Sequence, residues 1–155
     1  MTTFDQRASD IGIEFAEPAP PAPHTARVVI YNKLAFISGA LPVQDARLSQ
    51  KGLVGTDVAL VDKARNSAKQ ATVCALAMLR EELGGSLNTV KQVIKLTGYV
   101  ACTADFHEFD RLFDSASHLL HDLFGSSGRH ARSIVGVAAL AKSAPIMVDL
   151  VVALK

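Results

Sequence analysis

VKQVIKLTGYVACTADFHEFDRLFDSASHLLHDLFG, residues 90–125, changes its hydrophobic period once, and that change decides the fold. Residues 90–103 alternate between two faces, as a β-strand does. One predicted face carries Ile94, Leu96, Gly98 and Val100, and the other carries Val93, Lys95, Thr97, Tyr99 and Ala101. Residues 105–124 instead repeat large apolar side chains every three or four positions and end before Gly125, which predicts an amphipathic helix. The stretch therefore predicts a long strand followed by a helix that packs on it.

The residues before this stretch predict a hairpin and a second helix. The β-rich runs ARVVIYN and KLAFISG, residues 26–39, meet at Asn32-Lys33, which favours a tight antiparallel turn. A long alanine-rich helix is predicted over residues 57–83, with Thr56 as its cap and Gly84-Gly85 as its stop.

Residues 1–25 predict a strap on the surface of the same domain. Residues 3–10 suit one or two helical turns, and AEPAPPAPHT, residues 16–25, holds four of the six prolines and must be extended. Too little chain precedes this segment to form a separate domain. Residues 40–56, rich in Pro, Gly, Gln and Ser, predict a loop with a small ribbon.

Two more strands complete a single α+β domain over residues 1–155. Residues 131–140 and 145–155 are largely apolar and are separated by Lys142-Ser143, which predicts a terminal hairpin. The order ββαβαββ predicts one mixed sheet with two helices on one face. The opposite face would expose apolar side chains, among them Val93, Tyr99, Val135 and Val137. We therefore expect an oligomer in which this face is covered.

The composition excludes several classes of partner. Sixteen basic and fifteen acidic residues give a formal charge of +1, which disfavours nucleic acid and anionic membranes. No uncharged apolar run approaches the roughly 18 residues that a membrane span requires, and we expect a cytoplasmic protein. Cys74 and Cys102 lie far apart without the spacing of metal ligands, so we expect buried free thiols.

Arg132 is the first candidate for chemistry. GRHARSIVGVAAL, residues 128–140, places it at the start of a predicted apolar strand, at the edge of the sheet or at a seam between subunits. A guanidinium is a planar, permanently charged group that holds a carboxylate by two hydrogen bonds. Two interpretations are open: Arg132 binds a small organic acid, or it forms a structural ion pair with an aspartate.

The other motifs indicate neither a metal nor a cofactor. The pairs Asp114/His118 and His118/Asp122 stand at metal-compatible spacing on the predicted second helix, but nothing elsewhere supplies a matching third ligand for either pair. The glycine pairs lack the spacing that cradles phosphate, and there is no Gly-x-Ser-x-Gly elbow. Ser38-Gly39 ends a strand at a turn, where backbone N–H groups could contact a ligand or where glycine serves only the turn.

ISGALP (37–42), GRHARSIVGVAAL (128–140) and the strand 145–155 resemble the RidA (YjgF) family of reactive-intermediate imine/enamine deaminases. GRHARS and the proline-rich strap are similar to a longer YjgF-like, endoribonuclease-like subgroup. The resemblance implies a chorismate-mutase-like ββαβαββ fold and a homotrimer whose sheets line a central barrel. Clefts for small ligands would lie at the three seams between subunits.

The resemblance also implies a reaction and a set of site residues. Active members hydrolyse imines and enamines derived from amino acids to a keto acid and ammonia. By this resemblance Arg132 would bind the substrate carboxylate, the backbone around Ser38-Gly39 would contribute to the cleft, and His130 would frame its entrance. The expected ligand is thus a small carboxylate or imino acid.

Three positions depart from the family pattern. Met147 stands where the family has a glutamate linked to the hydrolytic water, and a thioether cannot accept a proton. Thr25 replaces a tyrosine of the pocket, and Asp114 replaces an asparagine that faces the cleft. Asp114 would repel a carboxylate ligand unless it pairs with Arg132 or takes over the role of the lost acid.

Three functions therefore stay open. The first is a deaminase-like hydrolase in which Asp114 or backbone carbonyls position water. The second is a trimeric protein that binds small carboxylates and has lost the hydrolytic activity. The third function, an endoribonuclease, is disfavoured by the nearly neutral charge and the lack of basic-aromatic stripes.

Overall fold

Two long helices and a five-stranded sheet form the core of the computed structural model, which describes residues 1–55 and 57–155. In chain order the elements are α1 Phe4–Asp10, β1 Val28–Tyr31, β2 Leu34–Ala40, β3 Val43–Gln44, β4 Arg47–Leu48, α2 Val58–Glu82, β5 Val90–Ala101, α3 Phe109–Phe124, β6 Ala131–Val137 and β7 Ile146–Leu154. Short 3₁₀ turns occupy Gly125–Gly128 and Ala141–Ser143. The predicted order ββαβαββ is confirmed, and the N-terminal helical turns and the β3–β4 ribbon are also present.

The β1–β2 hairpin turns at Asn32 and Lys33, as the sequence predicts. Both residues adopt positive φ angles, 49° and 62°, and a two-residue turn of this kind matches the right-handed twist of its strands. The two strands pair antiparallel. Near its end, β2 has an irregular register between Ile37 and Ala40, and Ser38-Gly39 lies at this irregularity.

Helix α2 is capped by Asp57, whose carboxylate accepts a hydrogen bond from the amide N–H of Ala59 at 2.9 Å. Thr56, the predicted cap, lies outside the described residues. The helix ends at Glu82, and Gly84 beyond it takes a φ of 80°, in agreement with the predicted glycine stop. Its inner face carries small, fully buried side chains, namely Ala64, Ala68, Ala71 and Ala75. These alanines let the helix approach the sheet closely.

Strand β5 contains an irregularity that the alternation did not predict. Its pairing with β7 shifts register between Val93 and Lys95, which is the effect of an extra residue in one strand. Val93 is therefore buried at 0% exposure, and Ile94 is 41% exposed on the opposite face. The predicted faces of Val93 and Ile94 were wrong, while Leu96, Gly98 and Val100 are buried as predicted.

The predicted terminal hairpin is wrong, because β7 does not pair with β6. The sheet order is β1-β2-β7-β5-β6, with β7 antiparallel to both neighbours and β6 parallel to β5. Residues 138–145 carry the chain past the end of β5 to the middle of the sheet. The apolar side chains of β7 suit a strand with two neighbours, whereas β6 carries Arg132 and Ser133 near its start and suits an edge. Arg132 thus lies on an edge strand, one of the two positions that the sequence left open.

Both long helices cover the same face of the sheet, as predicted, and their apolar side chains join those of the strands in one core. The other face has no covering element among the described residues. This open sheet face exposes Val29, Phe36 and Val135 and half-exposes Tyr99 and Val151. So many uncovered apolar side chains are typical of a surface that contacts another protein molecule.

The N-terminal strap contains neither helix nor strand over residues 16–25, turns at residues 22–25, and is held by one arginine. Nη1 of Arg27 donates to the carbonyl oxygens of Pro18 at 3.0 Å and Ala19 at 3.1 Å. Nη2 of the same side chain pairs with Glu81 on α2 at 3.0 Å. Arg27 therefore ties the strap to the helix layer at the point where the chain enters β1.

The two cysteines are free, as predicted, but both are half-buried rather than buried. Burial raises the pKa of the Cys74 thiol, and the thiol donates to the carbonyl of Val43 at 3.3 Å. Burial also raises the pKa of the Cys102 thiol. Both thiols therefore stay protonated near neutral pH. Over residues 1–55 and 57–155, no helix is long and apolar enough to cross a membrane.

Candidate functional site

Arg132 leaves the edge strand β6 on the helix side and reaches α3. Its Nη2 atom donates to Oδ1 of Asp110 at 2.9 Å, and its Nη1 atom donates to Oδ1 of Asp114 at 3.2 Å. The Arg132 side chain is 20% exposed, whereas the two aspartates are 88% and 55% exposed. Exposed ion pairs contribute at most about 1 kcal/mol each. They orient the guanidinium more than they stabilise the fold, and the pairing of Asp114 with Arg132 is established.

Part of the guanidinium stays free. Arginine has five N–H donors, and the described residues accept from three of them, because Nη1 also donates to the hydroxyl of Ser117 at 3.0 Å. The donors without a recorded partner among the described residues are Nε–H and one N–H of Nη2. Adjacent nitrogens of a guanidinium can hold the two oxygens of a carboxylate. Arg132 therefore has donors for a carboxylate ligand while it stays paired with both aspartates.

Ser117 and His130 support Arg132 from the side opposite the solvent. Nδ1 of His130 lies 2.6 Å from the carbonyl oxygen of Gly128, which can only accept, so Nδ1 carries a proton. In the neutral ring Nε2 is then an acceptor, and it receives the hydroxyl proton of Ser117 at 3.0 Å. Since Ser117 accepts from Arg132, a continuous chain of hydrogen bonds joins the guanidinium to the backbone at Gly128.

Gly128 is buried where the 3₁₀ turn packs against the end of α3. A Cβ atom at this position would overlap the backbone carbonyl of Leu120, which cannot move aside as a flexible side chain can. The absence of a side chain therefore lets the turn lie against the helix. This close packing fixes the position of the Gly128 carbonyl, which orients the His130 ring.

Ser38, Gly39 and Met147 lie away from Arg132. A Cβ atom built on Gly39 would be 2.6 Å from Sδ of Met147, so the glycine leaves room for the thioether. Met147 pairs with Tyr99 across β7 and β5 and is half-buried. The backbone N–H of Ser38 donates to the carbonyl of Arg27 at 2.8 Å. This N–H is therefore not available to a ligand. Ser38 is exposed, so its hydroxyl is the group that a ligand could contact.

Thr25 is exposed at the end of the strap, and its hydroxyl donates to the carbonyl of Ala22 at 2.7 Å. It lies two residues before Arg27, next to the start of the hairpin. The predicted site residues thus form two groups, Arg132, His130 and Asp114 at the α3–β6 edge, and Thr25, Ser38, Gly39 and Met147 near the hairpin and β7. Strand β5 separates the groups, and a single protomer does not bring them together.

Two functional candidates were missed in the sequence. Asp110 and Ser117 both contact Arg132, yet only Asp114 of this helix was considered as its partner. Residues 110, 114 and 117 recur at steps of four and three, which places them on one face of α3. That spacing is the feature of the sequence from which Asp110 and Ser117 could have been identified as neighbours of Asp114.

A polar pair lies on the open sheet face beside Met147. The Tyr99 hydroxyl donates to Oδ2 of Asp149 at 3.0 Å. Burial, followed by the hydrogen bond to Asp149 and the negative charge of that carboxylate, raises the pKa of Tyr99. Asp149 is thus already engaged by a neutral phenol.

Two cavities lie away from Arg132. A groove of about 950 Å³ runs between residues 11–16 and α2, and a smaller cavity of about 210 Å³ lies under residues 16–19, with Gly39 and Cys74 in its wall. Within the part of the chain that the structure describes, no three His, Cys, Asp or Glu side chains are grouped to hold a metal ion.

The family is decided by comparison with known proteins. A family model described as "YjgF/chorismate_mutase-like, putative endoribonuclease" matches residues 5–154. The chain belongs to the YjgF family. The predicted fold class is also confirmed, because this YjgF-family chain is 33% identical to the structure of Atu1372 from Agrobacterium tumefaciens, with a TM-score of 0.88. That match covers 99% of this chain and 94% of Atu1372, whose function is described as unknown.

Two further relatives support the assignment to the YjgF family. The YjgF-family chain is 32% identical over 147 residues to "Protein TCP17" of Trypanosoma cruzi, covering 93% of this chain and 89% of TCP17. It is 26% identical to a "putative endoribonuclease" from Shewanella oneidensis, with a TM-score of 0.91 and coverage of 98% and 99%.

Proposed function

We propose that this protein hydrolyses imine and enamine intermediates of amino acids, with Arg132 holding the substrate carboxylate. One observation carries the proposal: the guanidinium is oriented by Asp110, Asp114 and Ser117, and two of its N–H donors have no recorded partner among the described residues. Two such donors can hold a small carboxylate. In a more distant structure of this fold, E. coli TdcF holds bound serine (19% identity, TM-score 0.62, coverage 90% and 94%). The fold can therefore accommodate an amino acid.

In the proposed reaction Asp114 acts as the general base. A water molecule loses a proton to the carboxylate as its oxygen bonds to the imine carbon, and the electron pair of the C=N bond moves to nitrogen, which takes up a proton. The resulting carbinolamine expels ammonia and leaves a keto acid. Asp114 supports this role by lying 3.2 Å from Nη1 of Arg132, with more than half of its side chain exposed to solvent.

We further propose that the complete site forms in a homotrimer. The open sheet face supports association, because Val29, Phe36 and Val135 are exposed there. In such a trimer the group of Thr25, Ser38, Gly39 and Met147 from one copy would face the Arg132 group of the next. The free cysteines fit a reducing compartment, so we place the activity in the cytoplasm.

The test generates an imine in situ with an amino-acid oxidase and follows the release of keto acid. We expect the wild type to accelerate hydrolysis above the protein-free rate and Arg132→Ala to lose this acceleration. Arg111→Ala is the matched control, since Arg111 lies on α3 but pairs with Glu108 and Asp62 instead. A wild type that equals the protein-free rate would contradict the proposal.

A second function is favoured by Met147. The resemblance places a glutamate there, and the thioether that replaces it packs against Gly39 and cannot activate water. The protein would then bind small carboxylates without hydrolysing imines. An inactive wild type whose Met147→Glu variant gains hydrolysis supports this function, as does ligand binding that disappears in Arg132→Ala. RNA cleavage that survives Arg132→Ala and further purification would instead support the endoribonuclease named in the family description.

A further inference from the structure

We propose that the cavity under residues 16–19 of the strap is a second binding site, which takes a neutral aromatic ring with one N–H or O–H donor, such as an indole or a phenol. This strap cavity has a volume of about 210 Å³ and lies between α2 and the end of β2. Arg132 lies on β6, and β7 and β5 stand between β2 and β6 in the sheet. The inference therefore does not depend on the function proposed for Arg132.

Apolar side chains form most of the wall of the strap cavity. Helix α2 contributes Val73, Ala77 and Met78, and the segment after β2 contributes Leu41. Val73 and Ala77 are buried, and the other two are half-buried. An apolar cavity of roughly 150 Å³ is large enough to hold benzene. The strap cavity thus has room for a ring system somewhat larger than benzene.

The charges at the strap cavity favour a neutral ligand. Glu17 on the strap and Lys142 before β7 also line it, and both residues are exposed. Their charges are opposite in sign and cancel. A ligand with a net charge would lose hydration against the apolar wall without meeting a net opposite charge. A neutral ring does not have this cost.

One side-chain acceptor in the wall has no recorded partner among the described residues, namely Oε1 of Gln70. Nε2 of Gln70 donates to the carbonyl of Val43 at 2.8 Å, and this contact fixes the orientation of the amide because a carbonyl can only accept. The Cys74 thiol donates to the same carbonyl at 3.3 Å. The thiol proton is therefore already used, and Oε1 of Gln70 is the acceptor that an N–H or O–H group on a ring would meet.

Residues 16–19 form a cover that can open. No backbone hydrogen bond between described residues involves this segment. It is held by Arg27, which donates to two of its carbonyl oxygens and pairs with the half-exposed Glu81 on α2. The ring of Phe15, directly before the segment, lies 5.5 Å from the guanidinium of Arg80. Contacts of this kind are individually weak, so the segment can move off α2 and admit a ligand while the sheet stays intact.

The experiment titrates the full chain with indole and follows the fluorescence of indole, which is separable from that of the protein because the chain has no tryptophan. We expect saturable binding and the blue shift that an apolar environment causes. Indene has the same shape as indole but no N–H group. It should displace indole and bind roughly fivefold more weakly, which is the fold-change of one neutral hydrogen bond.

Two substitutions locate the ligand in the strap cavity. Ala77→Leu fills the cavity from α2 and should weaken indole binding roughly tenfold or more. Ala77 does not line the neighbouring groove, so this loss excludes binding there. If urea denaturation shows that Ala77→Leu does not fold, Ala19→Leu fills the cavity from the exposed strap and should weaken binding similarly. Ala59→Leu changes an exposed alanine of α2 and is the control, which should bind indole as the wild type does.

Gln70→Met tests the hydrogen bond to the ring. Methionine keeps the length of the side chain and lacks the amide, so indole and indene should bind to this variant with equal affinity. A preference for indole that persists in Gln70→Met overturns the assigned acceptor. Equal affinity of the two ligands in the wild type also overturns the proposed ligand class.

The remaining outcomes concern the site itself. A wild type that does not bind indole overturns the proposal, and so does indole binding that both Ala77→Leu and Ala19→Leu leave unchanged. Arg132→Ala should keep the full indole affinity, and a loss there would mean that indole occupies the Arg132 site instead. A wild type that binds indole but does not accelerate imine hydrolysis contradicts only the proposed function. The two proposals therefore fail separately.

Discussion

The hydroxyl of Ser117 donates a hydrogen bond to Nε2 of His130, 3.0 Å away, in the neutral imidazole tautomer whose Nδ1 donates to a backbone carbonyl. The hydroxyl oxygen also accepts from Arg132 at 3.0 Å. A rigid backbone position at Gly128 therefore controls the direction of a guanidinium on another element. The predicted ligand site depends on this sequence of contacts.

Ser117→Ala tests that dependence. The substitution removes two hydrogen bonds, one from the Arg132 guanidinium and one to His130, and we expect ligand affinity at Arg132 to fall roughly fivefold while the free energy of unfolding falls by about 1–2 kcal/mol. Calorimetric titration with L-alanine and urea denaturation measure the two quantities. Ser126→Ala, an exposed serine in the adjacent 3₁₀ turn, should change neither. Unchanged affinity in Ser117→Ala would show that Arg132 is held by its aspartates alone.

Gly128→Ala should damage both the fold and the site. The added methyl group meets the carbonyl of Leu120, so the turn must shift, and we expect the free energy of unfolding to fall by about 1–3 kcal/mol. Urea denaturation measures this loss. Gly55→Ala is the control, because its Cβ would meet Thr103 at an ordinary 3.6 Å. Equal stability of the two variants would mean that the turn accommodates the added methyl group without loss of free energy of unfolding.

Val135→Asp should dissociate the proposed trimer. Val135 is exposed on the open sheet face, and a carboxylate buried between two copies would lose its hydration. Light scattering on a size-exclusion column should report a trimer for the wild type and a smaller species for the variant. Leu53→Asp changes an exposed leucine in the loop before α2 and should leave the trimer intact. A wild type that elutes as a monomer would contradict the assembly.

The Tyr99→Phe variant should lose less stability than the wild type as the pH rises into the alkaline range. Burial and the neighbouring Asp149 raise the pKa of Tyr99 in the folded state above its ordinary value of about 10. A raised pKa stabilises the fold fully below the ordinary value, and this stabilisation is lost as pH rises through the raised one. The free energy of unfolding, measured in urea from about pH 8 upward, should therefore fall less in the variant.

Tyr31→Phe serves as the control for this experiment, because Tyr31 is exposed at the end of β1. Its profile should follow the wild type. If the Tyr99→Phe profile matches that of the wild type, groups other than Tyr99 cause the loss of stability at alkaline pH.

Local features of the fold could be predicted, because they depend on neighbours in sequence. The turn at Asn32-Lys33 requires only two residues that tolerate positive φ, and the apolar stripes of α2 and α3 repeat with the helical period. The shift at Val93 could not be predicted, since it arises from the pairing of β5 with β7. Periodicity shows which side chains share a face and not which strands become neighbours, so β6 and β7 were wrongly paired.

The candidate site was predictable to a similar extent. Arg132 and Asp114 were identified from the sequence, and their contact answers a question that the sequence left open. Ser117 became visible only when α3 was placed against β6, because a serine has no distinctive chemistry without its partners. The roles of Thr25, Ser38, Gly39 and Met147 stay predictions, since they depend on how copies of the chain associate.

Because β7 lies in the middle of the sheet and is the last strand of the chain, the sheet can be completed only after β7 has been synthesised. The β1–β2 pair and the β5–β6 pair are both complete in the chain before β7 emerges from the ribosome, but neither contacts the other in the sheet. Leu34 must wait for Ala153, more than a hundred residues later, to find its partner. Contacts so distant in sequence slow folding. Until β7 joins them, the two strand pairs remain separate and each has a free edge at which another strand could add.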